Sequence, residues 1–343
     1  MTGVLHRLRP HPHRGDVIAA GAVPLSLATI LIDLRMTQWS PGSRFVVVGA
    51  ISSLILAMGW LAELERETPR AYHSTLLVAG LLPLVLALAL LAEMLGAHRP
   101  PGPGADFWTF AAEAVIAAAA ARRANSGACT LIAALAAAVA LQSFVGWVFH
   151  PHGLGTFRAL LLVLTLAFAA GAVRLRDARR RHAVQLVNAA GLMALVLALL
   201  YVAETVIVAA VTRGGIGASL PISGLAGTRA PLGWKLYVIA VGLGLVAYAG
   251  ADREPGPAYV GVAVLAAFAV LAGLPLGGRG TLVGWPLLLL VLGTGGLAIG
   301  LRPRRPLPPE PPGPASAEAG APAVPLRGGA PVAPLRGPGD DRP

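Results

Sequence analysis

The chain is dominated by ten apolar runs, and no polar stretch between them is long enough for a separate soluble domain. The runs lie near 17–34, 45–62, 74–95, 107–121, 127–149, 157–174, 183–211, 233–250, 257–275 and 281–301. A hydrocarbon core about 30 Å thick is crossed by about twenty apolar residues in a helix. Lipid offers backbone groups no hydrogen-bond partners, so such runs cross it as helices. The sequence therefore predicts an all-α, polytopic transmembrane helical bundle over residues 17–301.

Composition excludes a soluble protein of this length. Of 343 residues, 56% are hydrophobic and 13% are charged, whereas soluble domains carry about 25% charged residues. The single cysteine, Cys129, excludes an intrachain disulfide and a cysteine-based metal cluster.

The fourth run, 107–121, is short for a span. Its roughly 15 residues rise only about 22 Å as a helix. The sequence therefore leaves two arrangements open: ten spans, or nine if the fourth run is re-entrant.

Arginine-rich loops set the expected orientation. The segments "RLRDARRRH" at 174–182 and "RPRR" at 302–305 fall on the same side of a ten-span chain. Cytoplasmic loops carry the excess of Lys and Arg, which predicts cytoplasmic termini and a basic cytoplasmic N-terminus over residues 1–16. Arg44 and Arg158 then fall in outer segments, at the outer edges of the second and sixth runs. We interpret the basic loops as topology determinants in the inner (plasma) membrane of a bacterial-type cell, with no nucleic acid as partner. The alternative for the arginine clusters is a nucleic-acid or anionic-lipid site.

The C-terminal region, 302–343, is rich in proline and poor in large apolar residues. Such a segment cannot bury enough surface to fold, which predicts a disordered cytoplasmic tail. It contains two P-x-x-P-x-R motifs, Pro322–Arg327 and Pro331–Arg336. These motifs are typical of docking peptides for proline-recognising modules, and the alternative is sequence drift in a proline-rich linker.

Polar residues in the fourth run share one helical face. Asp106, Thr109 and Glu113 are spaced i, i+3 and i+7, and Ala117 and Ala120 continue the stripe. A face that is polar and then small-sided predicts a helix that is packed among neighbours.

Two intramembrane carboxylates, Glu113 and Glu204, are the candidate proton- or solute-binding residues. Low dielectric favours the neutral form of a carboxyl group and makes an ionised one costly. We expect no intramembrane Arg or Lys to serve as their ion-pair partner, which favours protonation or a bound cation over a salt bridge. The alternative is a carboxyl that pins neighbouring helices. Candidate cavity-lining residues are Asp106, Thr109, Gln142 and Tyr201.

Other site classes find little support in the sequence. The segment "HPHG" at 150–153 offers two histidines where zinc needs three or four ligands, so no metal site is predicted. No nucleotide- or cofactor-binding fingerprint occurs, which predicts no cofactor. The longest loop, 212–232, contains neither an acid nor a histidine, which argues against an enzyme.

Two function classes remain. Ten spans divide as five plus five, and an odd-numbered repeat gives inverted halves, as in many carriers. The favoured hypothesis is a secondary carrier of a small solute, with or without proton coupling. The alternative is a non-transporting membrane scaffold or assembly protein that acts through its basic inner loops and proline-rich tail. A hydrated path to the carboxylates distinguishes the two.

Overall fold

The computed structural model describes residues 15–62, 71–98, 100–151, 153–213 and 231–273. These residues belong to the first of the chain's two units, Met1–Arg279; the second, Gly280–Pro343, lies outside the described residues. The predicted tenth span at 281–301, the tail at 302–343 with its two motifs, and residues 1–14 also lie outside them.

Every described element is an α-helix, and these residues contain no strand. The nine helices are α1 (Gly15–Arg35), α2 (Pro41–Leu61), α3 (Ala71–Met94), α4 (Pro103–Ala124), α5 (Gly127–Phe149), α6 (Gly155–Leu175), α7 (Arg180–Arg213), α8 (Leu232–Asp252) and α9 (Pro255–Gly273). Seven of them, all except α4 and α9, are long and apolar enough to cross a membrane. The chain is therefore built as a helical membrane protein.

Helix α4 differs from its prediction in length. It has 22 residues, but it is not among the described helices that qualify as candidate spans, so whether the fourth run crosses fully or is re-entrant stays a prediction. Pro103 is the first helical residue, a position that needs no backbone N–H and favours proline. Arg122 and Arg123 extend the last turn, and the helix ends at Asn125 with φ 49°. Its polar residues, not its length, keep α4 out of the strongly apolar set.

Contacts between helix ends show that consecutive helices run antiparallel. At one end, which we call the Arg44 end, the start of α2 bonds to the end of α1 through Arg44 and Asp33. At the opposite end, which we call the Arg122 end, α4 and α2 both end. There Arg123 of α4 donates to the carbonyl of Trp60 in α2, so α2 and α4 run in the same direction. The helices that pack most extensively are the sequential pairs α2–α3 and α4–α5.

Small residues let helices approach closely, as expected in lipid. The Ser52 hydroxyl of α2 donates to the Gly80 carbonyl of α3 at 2.8 Å. A Cβ added at Gly80 would lie 2.6 Å from Leu56 Cγ and 2.9 Å from its backbone nitrogen. Only glycine fits at this crossing.

Large apolar side chains are exposed in the middle of several helices. Examples are Leu27, Leu31, Val46, Leu82, Val115, Val163 and Leu166. A soluble protein would cover such a surface, whereas hydrocarbon solvates it. This exposed belt is the surface that a membrane-embedded bundle offers to lipid.

Candidate functional site

The polar face of α4 lies inside the protein. Thr109, Glu113, Ala117 and Ala120 are all buried, Asp106 is half-buried, and Val115 on the other side of the helix is 69% exposed. The prediction that this face is packed among neighbours is confirmed. Its alanines join Leu77 and Leu81 of α3 and Cys129 of α5 in one apolar cluster, so the small side chains bring α4 against both neighbours.

Glu113 is buried without a polar partner. The residue is 1% exposed, and neither Oε1 nor Oε2 has a hydrogen-bond partner within the described part of the chain. No ion pair there involves Glu113 either. An ionised carboxylate in such a place would cost several kcal/mol. The arrangement therefore suits a neutral carboxyl that can exchange a proton once water reaches it.

Glu204 has a different environment from the one predicted. It is 7% exposed, and its Oε2 forms a direct ion pair with Nη2 of Arg158. The expectation that Glu204 has no cationic partner is wrong. Arg158 was assigned to an outer segment, but it lies in the first turn of α6, where its long side chain reaches α7.

An aromatic cluster supports this ion pair. The Arg158 guanidinium carbon lies 4.0 Å from the ring centroid of Tyr201, one turn before Glu204. The Tyr201 ring is 6.3 Å from Trp234 of α8, which is 6.0 Å from Tyr237. Cation–π contact and ring packing thus join α6, α7 and α8 around one charge pair. The geometry is that of a junction between helices.

Gln142 lines a cleft that could not be predicted from the alanine-rich sequence. The cleft has a volume of about 430 Å³ and lies where α5, α6 and α7 meet. Ser143 is its other polar side chain, and Phe157, Leu161 and Met193 give it apolar walls. A small solute would fit this volume.

Sequence reasoning also missed a buried ion cluster at the Arg44 end. Arg44 is 3% exposed; its Nη1 lies 3.1 Å from Asp33 Oδ1 and its Nη2 lies 3.7 Å from Glu93 Oε1. From the sequence, Arg44 is only one of the cations of the outer segments, and no ion pair is predicted for it. The available signal was the carboxylate at the end of each neighbouring apolar run, since two half-buried acids favour a cation between them.

Comparison with known proteins gives no relative. No protein-family model matches the chain, and neither the curated proteins nor the solved structures include a significant match.

Proposed function

We propose that this protein is a secondary carrier of a small solute, coupled to protons, in the inner (plasma) membrane. In this proposal the chain has ten spans with both termini in the cytoplasm, so the Arg44 end faces the outside. The observation that carries the proposal is Glu113, a fully buried carboxyl whose oxygens have no partner among the described residues. A group without a fixed counterion is the one that a proton can enter and leave.

The transport cycle uses two states of this carboxyl. When Glu113 is neutral, the bundle closes over it, because a neutral acid is far cheaper to bury than an ion. When water enters from one side, the proton can leave and a cationic solute can take its place. The alanines around Glu113 leave room for small shifts of α4 against α3 and α5.

Glu204 has a supporting role in this proposal. Its ion pair with Arg158 is already formed, so a proton or cation that bound there would have to displace an arginine. Tyr201 stacks on that arginine and belongs to the same junction. Of the two candidate carboxylates, Glu113 is therefore assigned the proton and Glu204 the helix contact.

The competing class is a membrane scaffold, in which Glu113 would only pin helices. The two classes differ in whether water reaches Glu113, and thiol labelling can detect such a hydrated path. Cys129 is replaced by alanine, and single cysteines are placed as Glu113→Cys, Asp106→Cys and Val115→Cys. A membrane-impermeant thiol reagent is then added to intact cells from the outside.

The carrier predicts that cysteines at positions 106 and 113 react and that the lipid-facing one at 115 stays silent. Addition of a saturating transported solute would then protect position 113. Labelling at 106 with silence at 113 would contradict an outward-opening path, and the scaffold would become the better description.

A further inference from the structure

A basic cavity of about 390 Å³ opens at the Arg122 end, away from both carboxylates. It lies between the turn that joins α4 to α5 and the connection between α6 and α7. Its polar walls are formed by Arg122, Asn125, Arg179, Arg180, Arg181 and His182. Residues more than fifty positions apart thus line one cavity.

Two hydrogen bonds fix the walls of this cavity. The buried ring of His182 bonds through Nε2 to Asn125 Oδ1 at 2.8 Å and through Nδ1 to Thr130 Oγ1 at 2.5 Å. Asn125 has the left-handed conformation, with φ 49°, that turns the chain from α4 into α5. The two corners are therefore fastened to each other, and the arginines converge because of the fold.

Among the described residues, the positive charge in the cavity is only partly compensated. Arg180 bonds to the Asp252 carbonyl and lies 3.9 Å from Glu254, while Arg176 outside the cavity pairs with Asp252. Arg122, Arg179 and Arg181 form no ion pair within the described residues. Their neighbour Arg123 points away, and donates to the Trp60 carbonyl at 3.2 Å.

The cavity lies at the level where the flanking helices end. Candidate spans begin at Gly127 and Arg180 and end at Leu175, so the arginines stand at the boundary between hydrocarbon and headgroups. Basic pockets between helices at this depth bind lipid phosphates. Arginine forks suit phosphate oxygens, because each can donate two parallel bonds.

We propose that this cavity binds the phosphate group of an anionic phospholipid. A merely topological role for these arginines needs only their charge and no common cavity. A bound lipid would hold the α4–α5 and α6–α7 corners together from the membrane side. The proposal goes beyond the carrier function, since the site is distinct from Glu113 and the cleft at Gln142.

Native mass spectrometry of the delipidated full chain in detergent tests the site. The probes are dioleoylphosphatidylglycerol, dioleoylphosphatidylcholine and inorganic phosphate. The test variant is Arg122→Gln with Arg179→Gln. The matched control is Arg174→Gln with Arg253→Gln, which removes the same charge from exposed residues of the same end, outside the cavity. Arg181→Gln alone provides a second, milder test variant.

The expected result is about thirtyfold tighter binding of phosphatidylglycerol than of phosphatidylcholine, from two arginines that together contribute about 2 kcal/mol. Each arginine near an anionic surface contributes about a fivefold factor to lipid affinity. The preference for phosphatidylglycerol should therefore fall roughly thirtyfold in the double test variant and about fivefold in Arg181→Gln. The control variant should keep a preference for phosphatidylglycerol within about threefold of that of the wild type. Equal losses in test and control variants would overturn the site. Binding of inorganic phosphate to the wild type without a preference for phosphatidylglycerol would overturn the lipid assignment.

Discussion

The surroundings of Glu113 and Glu204 differ in one respect that decides their roles. Both carboxyls are buried on long helices, yet Glu204 forms an ion pair with Arg158 and Glu113 has no polar partner among the described residues. The first is a charge with its counterion in place. The second is a group whose burial is tolerable only when it is neutral. Equal burial therefore does not imply equal function.

The difference follows from depth along the bundle. Glu204 lies near the Arg44 end, where the first turn of α6 can bring an arginine to it. Glu113 lies in the middle of α4, and the neighbouring residues on its face are alanines and a threonine. A cation at that depth would itself be costly.

The largest expected effect on stability comes from replacing Glu204. Glu204→Leu leaves the Arg158 guanidinium buried without its counterion, which should lower the free energy of unfolding by about 3–5 kcal/mol. This change in the free energy of unfolding is measured by unfolding the protein in mixed micelles with increasing dodecyl sulfate. The double variant Arg158→Leu with Glu204→Leu should recover most of that loss, and no recovery would show that the pair is not what stabilises the junction.

Glu113→Leu should change stability in the opposite direction. Replacing an unpartnered buried carboxyl by an apolar side chain of similar size removes a desolvation penalty of about 1–3 kcal/mol. The same unfolding assay should show a gain, while solute transport is lost. Val115→Leu on the lipid-facing side is the control and should have no effect on either property. A large loss of stability in Glu113→Leu would mean that the carboxyl is a helix pin.

This comparison also shows what the sequence could predict. Periodicity along α4 was enough to place Thr109, Glu113, Ala117 and Ala120 on one buried face, because spacing along a helix is a local property. The apolar runs likewise predicted the positions of the nine described helices. Proline at the first helical position explains why α2 and α4 begin before their apolar segments, and arginines in the last turn explain why α4 also ends beyond its own.

Pairing between helices could not be predicted in this way. Arg158 and Glu204 are 46 positions apart, and Arg44 lies between two acids contributed by different helices. A long arginine side chain near a helix end can turn to solvent or reach into the bundle, and only tertiary packing decides between them. The convergence of Arg122 with Arg179 in one cavity is likewise a product of helix packing.

The smallest expected effect concerns Tyr201. Tyr201→Leu removes the ring that stacks on Arg158 and packs against Trp234, which should cost about 1–2 kcal/mol. Tyr201→Phe keeps the ring and should lose less. If both variants lose the same amount, the hydroxyl group and not the ring supports the ion pair.

The protonation state of the two carboxyls is the most direct test of this account. Infrared spectra of the full chain in lipid at neutral pH are compared with those of Glu113→Gln and Glu204→Gln. The account predicts that Glu113→Gln removes a protonated carboxyl band that shifts in heavy water, and that Glu204→Gln removes only carboxylate bands. Loss of carboxylate bands in Glu113→Gln would contradict the assignment of Glu113 as the neutral, proton-exchanging group.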